Sequence, residues 1–597
     1  GASNTALGAS ALFSNTTASN NTAVGYQSLY TNTTGASNIA VGYLAGYSNT
    51  TGSNNVSIGR DALKSVTTSS NNTAIGHSAL KHTISNWSTA VGFAALQEQT
   101  NGNRNSALGY QSQVVTTTGV SNTSIGMLSL RTNTTGSYNT AVGDDALQAN
   151  TTASYNTAIG YEALQSNTTA SYNTAVGYLA GYSNTTGIEN TLVGAFSGDA
   201  ITTGNYNTLI GIAGSSLTDA DYNTALGNNA LRADTLGSRS TALGFNALRV
   251  QNFTSATNTY NVAVGHNAGV AISTGTNNTA LGSLALQSNT TASNNTAVGY
   301  KTLFSNTTGH GNAAFGVNSL LSNTTGSGNS AFGSYQAGVQ YAPLRNNTTG
   351  GGNSAFGVGA LQSNTTANNN SAFGINTLSA NTTGASNTAI GTGALQSNIT
   401  GDENTAVGRL ALYSNTTASD NVAVGRRALY SNTSGTNNVA LGYQALDANT
   451  TASNNTAIGY LAGLSNTTGS ITALGSFAGY ANTTGSGNVA LGGYDGTASS
   501  ALRFNTTGSY NVGVGTGALR SNTTASYNTA VGYQAGYSNT TGTSNSSLGH
   551  MSLKANITGN SLTAIGSNAL VANTGHGNTA VGANAAYSNT SGHIDAF

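Results

Sequence analysis

The chain has 597 residues, of which 5% are charged, sixteen basic and sixteen acidic, so it carries no electrostatic footprint for nucleic acid or an anionic membrane. Cysteine is absent, which excludes a disulfide framework and a thiolate metal site, and no apolar run approaches the ~18 residues of a membrane span. Gly, Ser, Thr and Asn dominate, yet the 37% of hydrophobic residues fall at fixed phases of a repeat, which points to order rather than disorder.

Aligning on the glycine of Ala-Val-Gly, Ala-Ile-Gly or Ala-Leu-Gly gives 34 copies, from Gly8 and Gly25 to Gly566 and Gly582. Of the 33 intervals, 26 are seventeen residues, four are sixteen and three are longer. With that glycine at position 5, the unit reads Asn-Thr-Ala-Val-Gly-Tyr-Gln-Ala-Leu-Tyr-Ser-Asn-Thr-Thr-Gly-Ser-Asn. Several glycines and a β-branched cluster per unit rule out a helix, leaving short strands between turns.

Position 1 is Asn in 30 of 34 copies, Asn21, Asn38, Asn156, Asn173 and Asn528 among them, and stacked amides at one site predict a hydrogen-bonded ladder. Positions 2 to 4 predict a strand. Where position 4 is Phe, in Phe315, Phe332, Phe356 and Phe373, position 2 shrinks to Ala313, Ser330, Ser354 and Ser371. This compensation puts positions 2 and 4 on one face, read here as the core face, with Val24, Val41, Ile75 and Val176 in the equivalent place. Position 3, almost always Ala or Ser, is then expected on the other face, open to close approach by another sheet.

The position-5 glycine predicts a bend, and positions 8 to 11 a second short strand. Asn-Thr-Thr-Gly or Asn-Thr-Thr-Ala closes the coil. Its Asn-x-Thr pattern makes Asn15, Asn32, Asn49, Asn133, Asn150, Asn167 and Asn184 candidate glycosylation sites on an exposed turn. Tyr at positions 6, 10 and 17 shields strand edges or, in the alternative, offers aromatic strips for sugars.

These elements define an all-β fold, a parallel β-solenoid (β-roll) of about 34 coils with a seventeen-residue repeat. At ~4.8 Å per coil the stack would measure on the order of 160 Å. The array occupies 1–592, with loop expansions within 245–261, 334–350 and 493–510 and a non-repeat tail at 593–597. The latter two expansions are expected between the second strand and the Asn-Thr-Thr turn. Both ends stop inside the pattern, and the chain begins at Gly1. These features fit flanking sequence in a longer protein, or end-to-end stacking into a filament.

"NTAVG", "NTAIG" and "NTALG", repeated through nearly the whole chain, resemble the head repeats of YadA-type trimeric autotransporter adhesins and related tail-fibre-like bacterial surface fibre proteins. The resemblance implies a left-handed β-roll, a homotrimer, and binding to extracellular matrix or other surfaces.

Catalytic constellations are not found. The seven His sit at scattered phases without a His-Glu-x-x-His pair, and Asp144 and Asp145 are adjacent rather than opposed. The sequence therefore reads as a non-enzymatic extracellular structural fibre or adhesin shaft, at a cell surface or on a virion, without cofactors. Its partners would be further copies of itself, covalent glycans, and an extracellular surface or glycan ligand. The alternative is a glycan- or ice-binding solenoid.

Overall fold

A computed structural model describes residues 1–334, 341–497, 499–590 and 596. The chain divides into two compact units, Gly1–Asn294 and Asn295–Phe597. Each contains seventeen short strands occupying positions 2 to 4 of successive repeats, beginning with Thr5–Leu7 and Thr22–Val24 in the first unit and Thr296–Val298 and Ala313–Phe315 in the second. Within each unit these strands pair in parallel, like residue on like residue, as in Thr5↔Thr22, Ala6↔Ala23 and Leu7↔Val24. No helix occurs among the described residues. The fold is a parallel β-solenoid with one repeat per turn.

The strand ends where it does because position 5 leaves the β region. Gly25 has φ +132°, and a Cβ there would collide with the carbonyl oxygen of Gly42 in the next coil. Only glycine satisfies both demands. The predicted second strand at positions 8 to 11 does not form. That stretch instead turns through left-handed residues at positions 7 and 9, such as Gln27 (φ +51°) and Leu29 (φ +47°). Its backbone still bonds from coil to coil: the Leu29 N–H donates to Ala45 O at 2.9 Å and the Thr31 N–H to Tyr47 O at 3.1 Å.

The direction of the strand faces is the reverse of the expectation. Position 3 is the buried one: Ala23, Ala40, Ala158 and Ala175 are fully enclosed. Position 4 faces outward. Val41, Ile75 and Phe373 are 36%, 37% and 39% exposed, and Val24, Val176, Phe315, Phe332 and Phe356 are half-buried on the same outer face. The alanine stripe is therefore inside the coil and unavailable to another sheet. The interior is filled by positions 1, 3, 8, 9, 12 and 15, with Leu at position 9 (Leu29, Leu80, Leu147, Leu164) its main large apolar group. Volume compensation in the core acts between positions 3 and 9. Leu192 and Leu209 occupy position 3 in coils whose position 9 is Gly198 and Gly214, and a Cβ on Gly198 would lie 2.9 Å from methyls of both leucines.

The strand register is the same on either side of all three expansions, since Thr241 pairs with Val262, Ser330 with Ser354 and Val489 with Val512. The first lies between positions 12 and 1, where Thr257–Asn258 pairs with Gly237–Ser238. The other two follow the position-5 glycine rather than position 9: the Leu320 N–H donates to Pro343 O, which puts Pro343 at position 8, and Ala501 likewise holds position 8. Part of the second expansion, 335–340, lies outside the described residues, as does the 593–597 tail apart from Ala596, which bridges Thr579.

Candidate functional surfaces

Two columns of asparagine run through the interior. At position 1 the side-chain oxygen accepts from the backbone of the next coil, and the amide nitrogen reaches across its own coil to the carbonyl of position 15. The Asn38 N–H donates to Asn21 Oδ1 at 2.8 Å, and Asn21 Nδ2 to Gly35 O at 2.9 Å. Asn173 bonds to Asn156 Oδ1 in the same way, and Asn528 to Asn511 Oδ1. Each bond satisfies a backbone group that the turn would otherwise strand away from water.

The second column, at position 12, contains the residues expected to carry glycans. Asn32, Asn49, Asn133, Asn150, Asn167 and Asn184 are buried, and Asn15, in the first coil, is half-buried. Their amide nitrogens donate along the column, Asn49 Nδ2 to Asn32 Oδ1 at 2.8 Å and Asn150 Nδ2 to Asn133 Oδ1 at 2.9 Å, and to the position-15 carbonyl, as from Asn32 to Gly35 O at 3.0 Å. A glycan on that nitrogen would remove a donor and require the coil to open, so these sites are corrected to structural ladder residues. The column breaks where position 12 is Val66 or Ile201, leaving Asn49 Oδ1 and Asn184 Oδ1 without partners.

Position 12 also holds buried substitutions that answer changes at position 1. Gln99 and Gln251 stand there in the two coils whose position 1 is Ser, and the longer amide reaches the shorter hydroxyl: Gln99 Nε2 to Ser88 Oγ at 2.9 Å and Gln251 Nε2 to Ser240 Oγ at 2.7 Å. Asp234 is fully enclosed and accepts from Gln251 Nε2 at 2.6 Å and from the N–H groups of Gly237 and Phe253. Burial pushes its carboxyl above the ordinary value, despite those bonds.

The outer sheet face repeats in every coil of each unit. Positions 2 and 4 carry no charged residue in any copy. Position 2 is mostly Thr and position 4 always Val, Ile, Leu or Phe, so the face presents a threonine column beside an aliphatic one, in register.

Aromatic residues also stack in columns. Tyr138, Tyr155 and Tyr172 at position 17 are parallel with centroids 5.0 Å apart, and Phe315, Phe332, Phe356 and Phe373 follow at 4.6 to 4.8 Å. Beyond Glu189 at the same position, Tyr206 and Tyr222 stack at 4.8 Å and Arg239 follows with its guanidinium 4.8 Å from the Tyr222 ring. Rings stacked face to face along a column cover one another and turn their edges to solvent. A sugar stacks on a ring face, so these columns do not form the platform that the carbohydrate reading requires.

Among the described residues no three His, Cys, Asp or Glu side chains come close enough together to hold a metal, and no helix is long and apolar enough to cross a membrane. No protein-family model matches the chain, and no curated protein is detectably similar to it.

Proposed function

We propose that this chain is a structural fibre or adhesin shaft outside the cell, at a cell surface or on a virion, which performs no catalysis and associates with copies of itself through the outer sheet face. The observation that carries this reading is the uncharged, in-register surface of positions 2 and 4. Seventeen strands at ~4.8 Å make it about 80 Å long in each unit, and a width near 10 Å gives on the order of 800 Å². That is one partner's share of a standard protein interface, and the aliphatic column within it is an uncovered apolar stripe of the kind that marks association. A second copy offers the same pitch and no opposing charge, and the resemblance to YadA-type repeats favours three copies over two. Contact with a host or matrix surface would then fall to the exposed turns.

Sedimentation equilibrium, with mass per length from electron micrographs, tests the reading. A variant carrying Ile125→Lys, Ile159→Lys and Ile210→Lys, at positions 42%, 40% and 38% exposed, keeps its fold but should lose assembly. A wild-type chain that remains a 59.4 kDa monomer at every concentration would overturn it.

Ice binding is a second reading, favoured by one observation: the position-2 threonines point outward in a regular array, Thr140, Thr157, Thr174, Thr191 and Thr208 in consecutive coils. Hydroxyls and methyls repeated at one strand spacing can order water. Thermal hysteresis measured on the monomeric fraction separates the two, and its absence removes this second reading.

A further inference from the structure

Charge in the second unit is sorted by side of the strand. Asp402, Glu403 and Asp420 stand at positions 16 and 17, just before the strands Thr405–Val407 and Val422–Val424, and Arg409 and Arg426 stand at position 6, just after them. All five are exposed. No Lys or Arg occupies position 16 or 17 anywhere in this unit, and no Asp or Glu occupies position 6 or 7 of its coils. Asp495 lies in the third expansion, where its carboxylate accepts the Thr497 N–H at 2.9 Å. The outer sheet face of positions 2 and 4 therefore runs between an acidic rim and a basic one.

Neither rim is neutralised within the chain. Glu403 and Arg409 flank one strand at up to about 20 Å, beyond the reach of an ion pair, and none of the five side chains forms one with another described residue. Like charges instead repeat one strand spacing apart, Glu403 beside Asp420 and Arg409 beside Arg426, which is unfavourable. Arg427, at position 7, is already held by Asp447 at 2.8 Å. The apolar groups are as unevenly placed. Phe315, Phe332, Phe356 and Phe373 raise position 4, on the basic-rim side, in the coils where Ala313, Ser330, Ser354 and Ser371 lower position 2, on the acidic-rim side.

We propose that copies of this chain associate parallel and in register, with the acidic rim of one against the basic rim of the next. The inference rests on the self-association proposed above and adds its direction. Rotation about an axis along the stack of coils, for two copies or for three, brings the basic-rim side of one chain to the acidic-rim side of its neighbour at the same height. Glu403 then meets Arg409 of the neighbouring copy, Asp420 meets Arg426, and the phenylalanine ridge lies against the Ala and Ser of position 2. An antiparallel neighbour brings each rim to its like, and the acidic rim of this unit holds no cation to receive it. Opposed like charges of this kind exclude a wrong pairing more strongly than matched ones tighten the right one.

Charge exchange in the full chain, read by sedimentation equilibrium, tests it. Glu403→Lys with Asp420→Lys, or Arg409→Glu with Arg426→Glu, makes the two rims alike and should weaken association by about 10- to 100-fold. The chain carrying all four substitutions has its rims exchanged and should regain wild-type association to within about threefold. Direction is read separately from nitroxides on Asn369→Cys and Ser561→Cys, one variant at a time, both sites being exposed at position 17 of a chain without native cysteine. Dipolar spectroscopy should give the same separation at both sites, about 20–30 Å, the width of the sheet plus the gap between copies. An assembly with unequal separations, or one indifferent to the paired reversals, would overturn the parallel register and leave self-association standing. A wild-type chain that stays monomeric at every concentration would overturn both.

Discussion

Each coil holds left-handed residues that are not glycine. Leu29, Leu80 and Leu164 at position 9 have φ near +50°, and Tyr155 and Tyr172 at position 17 have φ of +61° and +64°. For such residues this conformation is unfavourable by about 1–2 kcal/mol, and at position 9 the burial of a leucine, worth about 2 kcal/mol, offsets it. At exposed position 17 the strain has no such counterweight beyond ring stacking. Tyr155→Val should therefore lower stability by about 1 kcal/mol more than Tyr155→Asn, because a β-branched side chain tolerates this region worst and Asn best. Equal urea midpoints for the two variants would contradict that. The interior asparagines define a second expectation. Asn173 accepts the Asn190 N–H and donates to Gly187 O, both at 2.9 Å, so Asn173→Ala strands two buried backbone groups and should cost about 2–5 kcal/mol. Hydrogen exchange should locate the loss in the two coils flanking residue 173.

At the scale of the coil, residues at positions 1 and 12 act as a pair. Ser88→Asn alone should crowd Gln99, and Gln99→Asn alone should leave the Ser88 hydroxyl and Asn105 Nδ2, now bonded to Gln99 at 2.9 and 3.1 Å, without that partner. The double variant restores the repeat's own Asn-Asn pair, so the cycle should show a coupling of about 0.5–3 kcal/mol by denaturant unfolding. Asp234 gives a pH-dependent counterpart. Its carboxyl titrates above the ordinary 3.8 in the folded chain, so folding takes up a proton between those two values. The stability tied to this proton is complete below 3.8 and is lost as pH rises through the higher folded value. Relative to Asp234→Asn, wild type should gain stability on acidification, and a difference that stays flat with pH would refute this.

The coil was legible in sequence because one glycine per turn is demanded by both φ and stacking, which fixes the period. Which way the strand faces was not. The Phe315/Ala313 and Phe332/Ser330 compensation correctly joins positions 2 and 4 on one face, but neighbours adjust to each other's volume on an outer face as readily as on an inner one. The usual guide, apolar inside and polar outside, is inverted here. The coil is so thin that its strand contributes mostly Ala to the interior, which is otherwise filled by amides and the position-9 leucine, while Val and Ile of the strand face outward. The pairing of Ser88 with Gln99 and of Ser240 with Gln251 was the available signal that positions 1 and 12 meet inside.

At the scale of the whole chain, the same burial decides where glycans can sit. In a secreting host that glycosylates Asn-x-Thr, peptide mapping should find occupancy at exposed asparagines, such as Asn20, Asn71, Asn294 and Asn454 at position 17 and Asn252 in the first expansion, with Asn32 and Asn150 bare. A folded chain occupied at Asn150 would contradict the position-12 column. Like-on-like stacking has another outcome. Because every turn meets its neighbours through equivalent atoms, a gene that gains or loses one whole unit of seventeen codons rejoins matching edges and perturbs nothing beyond the seam. Copy number can thus drift by recombination while the architecture is inherited unchanged, which makes reach the one property such a lineage can adjust freely.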